Sequence, residues 1–215
     1  MDGTKKCTVL KAVKAWAKAK GIYGNGQGYP GGAAWALLVA SIVKKNKTLD
    51  AEAAIKEFYK TYSTLDFTSQ PVVLRNAPEH GWIPNWQGSS SEVMAVITPC
   101  QPTINATYNV NGQTLAVIVD EMKKACALVN KGDFGALFAK PTLNHNSFLS
   151  VSVSAASEDA GEAVFGFLGV KIRNFPRKIE GGGVKSARLW PSAFKTGNEV
   201  HSFPTRRSSD LKSVV

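Results

Sequence analysis

The sequence predicts a mainly α-helical domain over residues 1–140, followed by an incomplete α/β sandwich over residues 141–198. Three observations carry this reading. Apolar residues recur at spacings of three and four from Leu10 to Tyr62, a glycine-dense stretch interrupts them once, and strict alternation replaces helical spacing after Pro141. A chain of 215 residues suits one ordinary domain or two small ones. Its 44% hydrophobic and 20% charged content excludes global disorder.

The first helix is expected over residues 8–20, with Leu10, Val13, Trp16 and Ala17 on one face and Lys11, Lys14 and Lys18 on another. It ends at Gly21. From Gly21 to Gly32, six of twelve residues are glycine, which is too many for any regular element. A second helix, Ala33 to Lys44, is apolar nearly all round and reads as buried. A third, Asp50 to Tyr62, uses Asp50 as N-cap and turns Ala54, Ile55 and Phe58 inward. The five prolines between Thr64 and Asn109 mark an irregular connector. Within it, Val72 to Leu74 and Val93 to Ile97 read as extended pieces, with Trp82 and Trp86 as anchors. Helix returns from Gln113 to Val129. A strand around Phe148, Val151 and Val153 then precedes a helix opened by Ser157-Glu158-Asp159 and running to about Ile179. A short strand is expected from Val184 to Trp190.

The longest apolar run, Ala33 to Val43, is interrupted by Ser41 and falls short of the ~20 residues that cross a bilayer. No membrane partner is expected, and the lysines spread from Lys5 to Lys20 leave no apolar core for a secretion signal. Cys7, Cys100 and Cys126 form no C-x-x-C pair and read as reduced packing residues. His80, His145 and His201 are isolated, so no zinc site is expected.

The net charge of +10 is unevenly spread. Residues 1–60 hold 11 basic and 4 acidic side chains, residues 61–160 hold 5 and 8, and residues 161–215 hold 10 and 4. Two basic ends suit a polyanionic partner such as a nucleic acid or a nucleoside triphosphate, and equally suit solubility alone.

The spacing of Gly24, Gly26 and Gly28 is no dinucleotide fingerprint, because that motif follows a strand and this one follows a helix. No phosphate-binding G-x-x-x-x-G-K-[ST] string occurs. Glycine-rich backbone leading into the helix at Ala33 can still offer free N–H groups to a phosphate or base edge, or can merely let two helices pack closely.

The ordered segments LKAVKAWAK at Leu10 to Lys18, IYGN at Ile22 to Asn25 and GYPGGAAWALLVA at Gly28 to Ala40 resemble the central domain of eukaryotic nuclear poly(A) polymerases. The likeness continues through PVVL at Pro71 to Leu74, Trp82, ITP at Ile97 to Pro99 with Pro102, and NATYNV at Asn105 to Val110. Phe165 to Leu168 with Lys171 to Arg173 is similar to a helix of the RRM-like RNA-binding domain that follows in that family.

The resemblance implies addition of adenylate from ATP to an RNA 3′ end, with Mg2+ or Mn2+ aligning the reacting groups, and a nuclear location among mRNA 3′-end processing factors. Carried over residue by residue, Lys14 would reach the triphosphate, Tyr23 would hydrogen-bond to phosphate, and Asn25 would read the adenine edge. Gly31 and Gly32 would let backbone approach the nucleotide. Ala33 stands where the family usually has a β-branched residue, so packing against adenine is expected to be weaker. Lys171, Arg173, Arg177 and Lys178 would face RNA.

The family's catalytic aspartates belong to a domain that precedes this region, so no catalytic residue and no metal ligand is assigned here. No D-x-D string occurs. Asp120-Glu121 and Glu158-Asp159 are adjacent pairs on helices, diverge by about 100°, and read as solvated charges. The expected function is therefore that of a fragment of a poly(A) polymerase, inactive alone. The alternatives are a non-catalytic RNA-binding or adaptor protein derived from such a polymerase, or an unrelated basic helical interaction protein. Residues 199–215 match nothing in that family, and the stretch from His201 reads as translated sequencing-adapter sequence or, alternatively, as a basic nuclear signal.

If Lys171 and Arg173 face phosphate, reversing both charges weakens RNA binding at low salt. Each lost contact then lowers the slope of log K against log salt by roughly 0.7. Filter binding across a salt series measures this, and unchanged affinity would make both residues merely solubilising.

Overall fold

The computed structural model describes residues 3–74, 92–100, 103–140, 149, 155–175, 188–189, 194–196 and 199–201. Helix α1 (Gly3–Ala19) buries Val9, Val13, Trp16 and Ala17, and leaves Lys11 and Lys18 exposed. It stops because Gly21 takes a left-handed φ of 66°. The Ile22 amide then donates to the Ala17 carbonyl at 2.9 Å and the Gly21 amide to Lys18 at 3.1 Å, a pairing that satisfies the last carbonyls of the helix.

The glycine stretch contains more order than its composition suggests. Asn25–Gln27 form one 3-10 turn between Gly24 (φ 130°) and Gly28 (φ 80°), two conformations that a side chain would oppose. Helix α2 (Gly32–Lys45) follows and buries Trp35, Leu38, Val39, Ile42 and Val43. Helix α3 (Ala51–Thr64) begins as expected, the Asp50 carboxylate accepting from the Ala53 amide at 2.8 Å. Its Phe58, Tyr59 and Tyr62 enter the same core.

Rings lock these helices together. Trp16 meets Trp35 edge-on at 5.7 Å and Tyr59 at 4.9 Å, so one α1 side chain touches both α2 and α3. The Tyr62 hydroxyl donates to the Leu38 carbonyl at 3.0 Å and also pairs with the Ser41 hydroxyl, a polar stitch between α2 and α3.

The connector is extended where expected. Val72 bridges Val96 in parallel and Ile97 bridges Asn105, and Val72, Met94, Val96 and Ile97 are buried. The Asn105 side chain organises it, accepting from the Val96 and Thr107 amides and donating to the Met94 carbonyl at 3.0 Å. Trp82 and Trp86 lie outside the described residues. Helix α4 (Gly112–Asn130) opens with a reciprocal box. The Thr114 amide donates to Asn111 Oδ1, and the Asn111 amide donates to Thr114 Oγ1. It buries Leu115, Ile118, Met122, Ala125 and Val129 and packs along α3. A one-turn helix α5 (Phe134–Leu137), capped by Asp133, is added to the expected set.

Three expectations are corrected. Cys7 and Cys100 are exposed, because Cys7 lies on the outer face of α1 and Cys100 beyond the buried Val96-Ile97 pair, so only half-buried Cys126 contributes to packing. Glu121 is not a solvated charge but 2% exposed, paired with Arg188 at 2.8 Å. The other Arg188 nitrogen donates to the Lys20 carbonyl at 2.5 Å. Finally, α6 (Glu158–Lys171), capped by Ser157 as expected, is interrupted by a 3-10 turn at Ile172–Asn174, and residues 176–179 of the expected helix lie outside the described residues. Pro176 has no N–H to donate to the Ile172 carbonyl.

The expected strand at Phe148 to Val153 lies outside the described residues apart from Leu149, which is exposed. Of the strand expected from Val184 to Trp190 only Arg188 and Leu189 are described, and they are not in a strand. The strands among the described residues are β1 (Phe194–Thr196) and β2 (Glu199–His201), an antiparallel pair in the register Phe194 to His201. The described core is therefore mainly helical.

Burial raises the Tyr29 and Tyr62 phenols from 10.0 to about 12, and pushes Tyr59 up as well. The folded state thus favours the neutral phenols. Their contribution is fully present below pH 10 and is lost as pH rises from 10 towards 12. Thermal melts should fall across that window, together with a cooperative rise in phenolate absorbance. Ionisation of all the tyrosines near pH 10 with no change in melting would contradict this core.

Candidate nucleotide-binding site

Five of the residues singled out by sequence meet at the start of α2. Gly31 is its N-cap, extended, with no side-chain cap bond, so the first N–H groups of the helix are free of a capping side chain. A β-carbon placed on Gly32 would stand 2.8 Å from the Tyr23 hydroxyl oxygen and 3.5 Å from Lys14 Nζ. One placed on Gly31 would stand 2.7 Å from Asn25 Oδ1 and 3.0 Å from Nδ2. An ammonium, a phenol and a carboxamide thus converge on two glycines. The glycines make room for these protein side chains, a reason nearer to hand than room for a ligand.

Each side chain is delivered by a separate device. Lys14 lies two residues before buried Trp16 on α1 and is half-buried itself. Tyr23, also half-buried, follows the α1 stop, and Lys18 Nζ lies 5.2 Å from its ring centroid, adding a second cation beside the same phenol. Asn25 is exposed at the start of the 3-10 turn. That turn is closed from both sides. The Gly24 amide donates to Pro30 at 3.1 Å, and the Tyr29 amide donates back to Gly24 at 3.1 Å. Ala33, in the first turn of α2, is exposed.

Such a place has the donors to bind an anion, with one adaptable polar group at its edge. Free helix N–H groups carry partial positive charge, and a neighbouring ammonium and hydroxyl add donors of the kind that hold phosphate. The carboxamide of Asn25 can donate and accept at once.

The expected RNA-facing residues are only partly placed. Lys171 is exposed at the end of α6, its Nζ 5.6 Å from the Phe167 ring centroid. The Arg173 backbone lies in the 3-10 turn after α6, whereas Arg177 and Lys178 fall outside the described residues. Both α6 and that turn run beside Asn25–Gln27, which puts Lys171 on an element adjoining the glycine loop. Sequence reading assigned no structural task to Asn109, whose side chain donates to the Asn25 and Tyr29 carbonyls from a distant part of the chain. The Asn-Val pair at the end of the NATYNV segment was the available signal.

This helical core, with its glycine-bounded turn feeding the second helix, falls within residues 6–138, which the family model of the poly(A) polymerase central domain matches. The chain belongs to the poly(A) polymerase family. It is 30% identical over 185 residues to the poly(A) polymerase PAPalpha of Candida albicans, covering 80% of this chain and 33% of that protein. It is 28% identical over 203 residues to poly(A) polymerase PAPa of the same organism, covering 87% and 36%. To nuclear poly(A) polymerase 1 of Arabidopsis thaliana it is 27% identical over 187 residues, covering 80% and 26%. The chain spans about a quarter to a third of the length of these relatives.

Gly32→Ala tests the convergence without reference to any ligand. The new methyl crowds only the far end of the Tyr23 side chain and touches Lys14 at ordinary contact distance, and alanine suits a helix better than glycine by up to about 1 kcal/mol. The melting temperature should therefore hold or rise while the Tyr23 ring protons shift in NMR spectra. A large loss of stability, or an unmoved Tyr23 ring, would count against this arrangement.

Proposed function

We propose that the start of α2 with Lys14, Tyr23 and Asn25 binds ATP, and that the chain forms one wall of the nucleotide cleft of an enzyme adding adenylate to RNA 3′ ends. The observation that carries the proposal is the meeting of these three side chains over Gly31 and Gly32. The Lys14 ammonium and Tyr23 hydroxyl hold the triphosphate with the first N–H groups of α2, and the Asn25 amide meets the adenine edge. Ala33 offers the base a small apolar contact. In the family this chemistry is supported by Mg2+ or Mn2+. Among the described residues no three His, Cys, Asp or Glu side chains lie together, so these residues do not fit such ions.

The remainder of the chain serves RNA. The segment from α6 onward is proposed as part of an RRM-like RNA-binding domain, with Lys171, Arg173, Arg177 and Lys178 on the phosphate backbone. Its contact with the glycine loop brings RNA and ATP to the same side of the molecule. The name of the Arabidopsis relative supports a nuclear location, and mRNA 3′-end processing factors are the proposed partners. By itself the chain is expected to transfer no adenylate.

In a full-length polymerase that includes residues 1–198, Lys14→Ala should raise KM for ATP by about 10-fold or more, since a charge-assisted hydrogen bond contributes about 1.5–3 kcal/mol. Asn25→Ala should lower the preference for ATP over GTP by about 5-fold or more, as one bidentate base contact discriminates by about 1–3 kcal/mol. Steady-state kinetics with both nucleotides, with melts of each variant, decide the matter. Unchanged kinetics, or losses that only follow lower melting temperatures, would make the loop structural.

A further inference from the structure

Asn109 is 8% exposed and sits three residues before the first turn of α4, yet its carboxamide is spent on the glycine loop. Its Nδ2 donates to the Asn25 carbonyl and, at 3.3 Å, to the Tyr29 carbonyl. These two carbonyls bracket the 3-10 turn, so one amide group ties both ends of it. The loop is held from the same side at Gly28, where a β-carbon would stand 3.2 Å from the Thr114 methyl and 3.5 Å from the Asn109 carbonyl oxygen. Thr114 is itself fixed by the reciprocal box with Asn111. The α4 entrance is thus a rigid bracket for the turn that presents Asn25.

The orientation of this amide is dictated by its surroundings. Both neighbours are acceptors, so only the NH2 side can face them, and the Asn109 Oδ1 is left buried without a partner among the described residues. Leaving a buried acceptor without a partner is destabilising, which is at odds with a purely stabilising role. An aspartate here would aim a carboxylate at two carbonyls, although it has nearly the same shape.

We infer that Asn109 is a positioning residue for base selection: by pinning the Asn25 and Tyr29 carbonyls it fixes where the Asn25 side chain meets the nucleobase. This inference rests on the reading of the site as an ATP site and adds to it a second residue that touches no ligand. Its action is confined to the base. Lys14 and Tyr23 lie against Gly32, whereas the Asn109 amide donates to the Asn25 and Tyr29 carbonyls.

The test is direct nucleotide binding to the 215-residue chain by calorimetry, using ATP, GTP and inorganic triphosphate, for the wild type, Asn25→Ala, Asn109→Ala, Asn109→Asp and Asn25→Ala/Asn109→Ala. Asn109→Ala should cut the ATP to GTP preference by about 5-fold or more with triphosphate affinity unchanged, and Asn109→Asp should cut it further. The double variant should discriminate no worse than Asn25→Ala alone, because the second change acts through the first. If Asn25→Ala loses discrimination and Asn109→Ala keeps it, Asn109 is overturned as a positioning residue while the ATP site stands. An equal loss of affinity for all three probes, triphosphate included, would make Asn109 a structural residue only. A wild-type chain that binds ATP and GTP alike, or neither, would defeat the ATP reading and this inference with it.

Discussion

The Trp16 indole is the constraint from which the site follows. It is fully buried, with its edge against Trp35 of α2 and Tyr59 of α3, so the direction of α1 relative to both helices is set by one ring. Truncating such a side chain typically costs about 3–5 kcal/mol. Its effect reaches further than stability. Lys14 precedes Trp16 by two residues, and its Nζ comes near Gly32 only because the indole fixes the phase and tilt of α1.

The short path between α1 and α2 then leaves little freedom. Gly21 stops the helix, the 3-10 turn folds the chain back, and Pro30 closes the loop through its carbonyl. Two β-carbons must be missing at Gly31 and Gly32 for Tyr23 and Asn25 to lie where they do. The polar cluster is thus a product of packing on one side and steric vacancy on the other. A second polar arrangement ties the distant end of the described chain to the same body. Arg188 reaches nearly buried Glu121 on α4 and the Lys20 carbonyl just before Gly21. Breaking such a pair from one side strands a charge, so the segment bearing Arg188 is held close to the base of the loop.

Helices α2, α3 and α4 were legible in the sequence because each carries its own period and its own stop, whereas α1 begins five residues earlier than expected and one-turn α5 carries no period. Asp50 as N-cap and the α4 span were readable within a residue or two, since caps and apolar spacing are local signals. The order inside the glycine stretch was hidden. Its 3-10 turn depends on hydrogen bonds from Asn109, 84 residues away, and composition alone reads only the absence of side chains. Glu121 misled for the same reason. A carboxylate on an amphipathic helix reads as solvated until its partner arrives from Arg188, 67 residues further on. The choice of Lys14, Tyr23, Asn25, Gly31 and Gly32 came from family resemblance, and their spatial meeting is what the fold adds.

The claim at the centre of this account is that the first turn of α2 receives a triphosphate. Amide NMR of the chain, titrated separately with ATP, adenosine and inorganic triphosphate, measures this most directly. Triphosphate alone should move the amides of Gly31, Gly32 and Ala33 as far as ATP does, adenosine should move chiefly Asn25 and its neighbours, and ATP should move both sets. Shifts confined to the exposed lysines elsewhere on α1, or to α6, with the α2 amides unmoved, would contradict it.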